Sequence, residues 1–168
     1  MKKDLILYHG SSTKIRNFEI NKSVGNDQYV PGIYFSDEIQ TAKSYGRNIH
    51  ICKLDKNRLI HKKDQALKYR MLINRILNEN VTQAHLDDWG YTKKEFLKYW
   101  NDEIITHQSM TETLEYIWKD IFALDNKKFC AVAVRHGIDG VIHPQHNNEN
   151  FYVVFNPRII HIQDITTL

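Results

Sequence analysis

The feature that most constrains this chain is a change of apolar period, with alternation at both ends and helical recurrence between them. From 62 to 122, Leu67, Met71, Ile73, Ile76 and Leu77, then Phe96, Leu97 and Trp100, then Leu114, Ile117, Trp118 and Ile121 fall on helix faces. Three helical segments are predicted there, one of them opening on a capping box formed by Thr92 and Glu95. A further amphipathic helix spans 126 to 136 and ends where Gly137 can take the left-handed cap. At the start, Leu5, Leu7 and His9 alternate with Ile6 and Tyr8, which predicts a strand ending at Gly10-Ser11-Ser12. Residues 13 to 31 are rich in turn formers and read as loop. A short strand follows from Gly32 to Ser36, and then a helix capped by Ser36 or Asp37, carrying Ile39, Ala42 and Tyr45 and stopping at Gly46. Strands are predicted at 48 to 54, at Val141 to His143 after the turn Asp139-Gly140, and at Phe151 to Asn156 and Ile159 to Ile165 around Pro157. Strands at both ends of a helical middle, in 168 residues, predict one α+β domain.

Composition narrows the class. With 42% hydrophobic and 26% charged residues, disordered and collagen-like chains are excluded. No stretch approaches the roughly 18 apolar residues of a membrane span, and the first residues lack the apolar length of a signal peptide, so a cytoplasmic protein without membrane contact is expected. Cys52 and Cys130 cannot make a disulfide framework and read as buried apolar residues. The net charge of +3 is too small to imply nucleic-acid binding by itself. Its distribution is uneven, however. Residues 56 to 75 carry seven basic side chains against Asp64, and 76 to 125 carry ten acidic against four basic. Either two solvated helix faces attract one another, or the basic stretch (Lys56, Arg58, Lys62, Lys63, Lys68, Arg70, Arg75) receives a nucleic acid or an acidic partner.

Several chemistries lack their residues. His143 and His146 are separated by Pro144 and no carboxylate or cysteine completes a ligand set, so no metal is expected. There is no GxxxxGK, GxGxxG or GxSxG motif. Cys130 lies in the apolar run Phe129 to Val134 and is a poor nucleophile candidate. What stands out is three blocks in order: Tyr8-His9-Gly10-Ser11, then Gly32-Ile33-Tyr34-Phe35-Ser36 with Ala42 and Tyr45 behind it, then Phe151-Tyr152-Val153-Val154-Phe155-Asn156-Pro157.

Together these blocks resemble the ADP-ribosyltransferase superfamily, in its His-Tyr-Glu branch that includes diphtheria toxin and the poly(ADP-ribose) polymerase catalytic domain. Gly137 to Ile142 is similar to the turn and strand before the last block of small bacterial and phage relatives. The resemblance covers a core of 1–55 and 126–168, while the helical middle, 56–125, is an insertion without a counterpart. It implies a split β-sheet core and NAD as substrate, cleaved through an oxocarbenium-like transition state. His9 would hydrogen-bond the nicotinamide ribose, and Gly10 would hold the carboxamide through its backbone. Tyr34 and Tyr45 would sandwich the nicotinamide ring. Ser11 and Ser12 would contact ribose or phosphates, Gly32 and Phe151 belong to the same binding blocks, and the loop 21–31 would lie over the dinucleotide.

Two departures qualify the resemblance. Phe151 occupies the position of the family's catalytic glutamate, so Glu149, two residues earlier, is the candidate replacement, the alternative being a solvated loop carboxylate. Ala42 stands where polymerase relatives carry a serine, and neighbouring Thr41 should face elsewhere on its helix. The resemblance therefore implies single transfer rather than chain elongation. The expected activity is a mono-ADP-ribosyltransferase acting on RNA, DNA or protein, as an intracellular toxin, a phage-defence protein or a phage effector, with an antitoxin as a further partner. The alternatives are a module of the same fold that binds without catalysis, an RNA 2′-phosphotransferase, and a helical interaction protein.

Overall fold

The computed structural model describes residues 4–20, 30–60, 66–144 and 149–168. Alternation at the start of the chain produces β1 (Asp4–Ser11), which ends within the Gly10-Ser11-Ser12 triplet read as its stop. Gly10 and Ser11 stay in the strand because they pair with Ile49 and Asn48 of β3 (Asn48–Asp55). β2 (Ile33–Ser36) leads into α1 (Ile39–Lys43). Neither predicted residue is the N-cap, which is Glu38. The Ser36 hydroxyl accepts from the Glu38 N–H at 2.8 Å, while the Asp37 carboxylate turns away to a distant strand that offers it more donors. β4 (Gly140–Pro144), β5 (Asn150–Val154) and β6 (His161–Thr167) complete the set. Pro157 opens a 3-10 turn, Pro157–Ile159, between the last two, consistent with a residue that cannot donate to a ladder.

All six strands are joined antiparallel in the order β4-β5-β2-β1-β3-β6. The strands thus form one sheet rather than the split sheet that the resemblance implies, and that sheet has a thin joint. β1 and β3 pair continuously from Asp4↔Asp55 to Ser11↔Asn48, but β1 and β2 meet at the single pair Tyr8↔Ser36.

The middle of the chain is helical, and finer grained than three segments. α2 (Ala66–Asn80), α3 (Gln83–Trp89), α4 (Lys93–Tyr99), α5 (Ile105–His107) and α6 (Met110–Tyr116) follow in order. π turns at Trp100–Ile104 and Ile117–Ile121 follow α4 and α6. The capping box of Thr92 and Glu95 forms as read, and similar boxes open α3 at Thr82 and α6 at Ser109. α7 (Asn126–Arg135) ends one residue before His136, with Gly137 at a φ of 82°.

Two cores result. The larger gathers the helices against the sheet, with Leu114, Ile117 and Phe129 packed on Val141, Val153 and Phe155. The smaller contains Leu7, Ile33, Phe35, Cys52, Leu54, Tyr152 and Val154, and is closed by loop residues, Phe18 and Ile20 among them. Both cysteines are free and buried, as expected, and burial pushes each thiol up to about 12. Of the stretch 56–75, Lys62, Lys63, Asp64 and the side chain of Lys68 lie outside what the structure describes. Among those described, no ion pair joins 56–75 to the acidic 76–125, and Arg58 pairs instead with Asp139 at 2.6 Å. No described helix is long and apolar enough to cross a membrane.

Candidate active site

The predicted residues meet only in part at the thin joint: the His9 ring packs with Phe18 and Phe35 on the side of the smaller core, while the Tyr34 ring packs against the larger one. His9 sits on β1 next to the single β1–β2 pair, and its ring spans the gap that the backbone leaves, with Nδ1–H donating to the Tyr34 carbonyl at 2.8 Å. That bond fixes the tautomer, so Nε2 carries the lone pair. Burial lowers the His9 pKa, the Tyr34 carbonyl works against that shift, and nearby His50 adds to it. The ring packs edge-on to Phe18 at 5.0 Å and tilted to Phe35 at 5.6 Å. A neutral imidazole of fixed orientation, with one acceptor nitrogen left over, suits it to receive a hydroxyl proton in a hydrogen bond.

His50, fully buried opposite His9 in the β1–β3 register, was not singled out in the sequence. Its Nε2 accepts from the Ile15 N–H at 2.8 Å, so Nδ1 bears the proton and donates to the His9 carbonyl at 3.2 Å. One side chain thus ties the loop that carries Phe18 to the backbone of His9. Asn48, 3% exposed, does the same for the turn after β1. Its amide donates to the Ser11 and Ser12 carbonyls at 3.3 and 3.0 Å and accepts from Thr167. The Ser11 hydroxyl accepts from the Thr13 N–H at 3.2 Å in a local turn.

α1 brings the remaining residues to the same joint. A Cβ added to Gly10 would lie 1.8 Å from the Ala42 carbonyl oxygen and 3.2 Å from the Tyr45 Cβ, so only glycine lets the helix approach β1 this closely. Tyr45, just beyond α1, is 64% exposed. Gly32 is under similar restriction, its missing Cβ lying 2.5 Å from Val153 Cγ1. The Tyr34 ring is half-buried against the larger core and its hydroxyl donates to the Val30 carbonyl. His9 therefore meets Tyr34 through the backbone rather than ring to ring.

Glu149 precedes β5 by one residue, and its carboxylate accepts from the Thr41 hydroxyl at 3.0 Å. The expectation that Thr41 faces elsewhere is thus corrected: Thr41 points across to the β5 entry because Asp37 anchors that entry beside α1. The Asp37 carboxylate accepts from the Asn150 N–H at 3.1 Å, from the Asn150 amide at 2.9 Å and from the Tyr152 hydroxyl at 3.3 Å. Burial and that carboxylate push the Tyr152 phenol up to about 12. Phe151, half-buried, pairs with Ser36 on one side and His143 on the other. Of the expected covering loop, 21–29 lie outside the described residues, as do His146 and the 145–148 segment before Glu149. Among the described residues no group of three or more His, Cys, Asp or Glu is placed to hold a metal ion.

A family model described as ADP-ribosyltransferase in polyvalent proteins matches residues 3–162. A solved structure titled "Crystal structure of an anti-CRISPR protein" aligns over 98% of this chain and 96% of its own, with 16% sequence identity and a TM-score of 0.42. No curated protein matches.

Proposed function

The chain belongs to the family of ADP-ribosyltransferases in polyvalent proteins, and from that premise we propose that it cleaves NAD and transfers one ADP-ribose to a macromolecular acceptor. The observation that carries this reading is the fixed His9 ring, held to the Tyr34 carbonyl at 2.8 Å beside an α1 that approaches Gly10. The helices between β3 and α7 are read as an insertion into this core, and the thin β1–β2 joint as this chain's form of the family's split sheet.

In this reading Nε2 of His9 accepts the hydrogen bond of a hydroxyl on the nicotinamide ribose, and the Gly10 backbone holds the carboxamide. Tyr34 and Tyr45 flank the ring, with Ser11, Gly32 and Phe151 completing the surface that binds NAD. The bond from the ribose C1′ to the nicotinamide nitrogen breaks with its electron pair going to the ring, which leaves neutral and needs no acid. The ribose passes through an oxocarbenium-like state that the Glu149 carboxylate, steadied by Thr41, stabilises. The acceptor nucleophile then bonds to C1′ and gives up its proton to water. Holding the leaving group while the ribose turns is positional catalysis. A role as a toxin or phage effector within the producing or infected cell, with an antitoxin as regulator, fits an enzyme of this kind.

Incubation with NAD labelled on the adenylate and a fractionated lysate tests the transfer. Label entering RNA, DNA or protein, and lost with His9→Ala, supports it. The second reading, a binding module without catalysis, is favoured by Phe151 at the glutamate position. It predicts NAD or ADP-ribose binding with no nicotinamide release in any fraction.

A further inference from the structure

Two adjoining cavities open along β6 and the 3-10 turn before it, and neither is lined by Tyr34, Tyr45 or Glu149. Both include Arg158, His161 and Gln163, so they form one groove with two ends. The ends differ in charge. At one, in a cavity of about 580 Å³, the two cations not shared with the other end are already neutralised: Lys53 pairs with Asp4 at 2.7 Å and Arg58 with Asp139 at 2.6 Å. The other, about 600 Å³, is lined by Arg16, Asn17, Phe18, Arg158, His161 and Gln163 among others, with no carboxylate in its wall among the described residues. Among the described residues no acid pairs with Arg16 or Arg158, and both are exposed.

We propose that the Arg16–Arg158 end of this groove binds the phosphodiester backbone of a single-stranded nucleic acid. Two guanidinium groups without an internal counter-charge present planar forks that match phosphate oxygens. Asn17 and Gln163 each offer a donor and an acceptor, which base edges use and a run of carboxylates does not. The Watson–Crick edges, which carry the richest donor and acceptor sets, are free only in an unpaired strand. The position adds to the argument, because Phe18 lines the groove and packs on the His9 ring at 5.0 Å. A strand lying here is one aromatic ring away from the candidate active site. The binding is independent of NAD cleavage, so its failure and that of the transferase reading are separable.

Fluorescence anisotropy with a labelled short oligoribonucleotide tests it, read across a salt series without NAD. Two phosphate contacts predict a log–log salt slope of about −1.4. Arg16→Gln and Arg158→Gln each weaken binding about fivefold at about 0.1 M salt, and together about 25-fold, with melting temperatures unchanged. Lys53→Ala, whose charge Asp4 already holds, changes affinity less than about twofold. His9→Ala keeps the affinity. Binding that is absent at low salt, or indifferent to both arginines, or as sensitive to Lys53 as to them, overturns the proposal. So does an acidic peptide that binds more tightly than the oligonucleotide with the same arginine dependence.

Discussion

The two faces of the sheet are built on different principles. On the helix-backed face the larger core is apolar and redundant, with Phe129 edge-on to both Phe122 and Phe155 and fully buried leucine and isoleucine around them. The loop-closed face has a smaller apolar core, and its edge toward the joint is held by polar groups that each have a particular partner: His9 on Tyr34, His50 on Ile15 and His9, Asn48 on the Ser11–Ser12 turn. Burial by many equivalent neighbours gives stability that tolerates small shifts. Single hydrogen bonds to backbone atoms give orientation, and they concentrate where a substrate has to be held.

The comparison breaks first at its stable side. Phe129→Ala should cost about 3–5 kcal/mol, measured by denaturant unfolding, because the helix-backed core cannot collapse around the lost ring. A loss below about 1 kcal/mol would mean that this face is not the stabilising one. Next in size is His50→Ala, which leaves the Ile15 N–H and the His9 carbonyl without this partner, at about 2–3 kcal/mol for the two partly buried groups together. His50→Gln, able to donate and accept, should recover part of that loss. The result to look for is a larger fall in kcat for nicotinamide release than stability alone explains. If activity follows the folded fraction, His50 only fills space.

Acidity sharpens the contrast by a smaller amount. His9 and His143 both have pKa values lowered chiefly by burial, so the unfolded chain binds more protons below the ordinary imidazole value of 6.5. Stability is therefore complete above that pH and declines as the pH falls below it. Melting temperatures measured from neutral to acid pH should show the decline, and His9→Gln and His143→Gln should each flatten it. The smallest effect concerns the thiols. Cys52 and Cys130, with thiols pushed up to about 12, should not react with a thiol reagent until the protein unfolds.

Local features were legible in the sequence, and partners distant along the chain were not. The Thr92–Glu95 box, the helix ending at Gly137 and the strand opposite β1 depend on neighbours a few residues apart, so pattern suffices for them. The order of Tyr8-His9-Gly10-Ser11, Gly32 to Ser36 and Phe151 to Pro157 pointed to the family that the match over 3–162 shows. Missing were His50, set by a register across 41 positions, and Thr41, whose partner Glu149 is 108 positions away. Asp37 illustrates the same limit. A residue of cap type just before a helix is an N-cap by local rule, but three donors from β5 outbid the helix end. His9 to Tyr34 was inferred as a shared site, whereas the bond through the Tyr34 backbone follows from the thin joint and has no local signature.

The most direct test is the rate of nicotinamide release from NAD by the purified protein, compared with His9→Ala and Glu149→Gln. Measurable release is expected, falling at least about 100-fold with His9→Ala and about tenfold or more with Glu149→Gln, each rate taken per folded molecule at a temperature where the variant is fully folded. Release that continues unchanged without the His9 ring, or that never occurs with NAD and acceptor both supplied, would contradict that expectation.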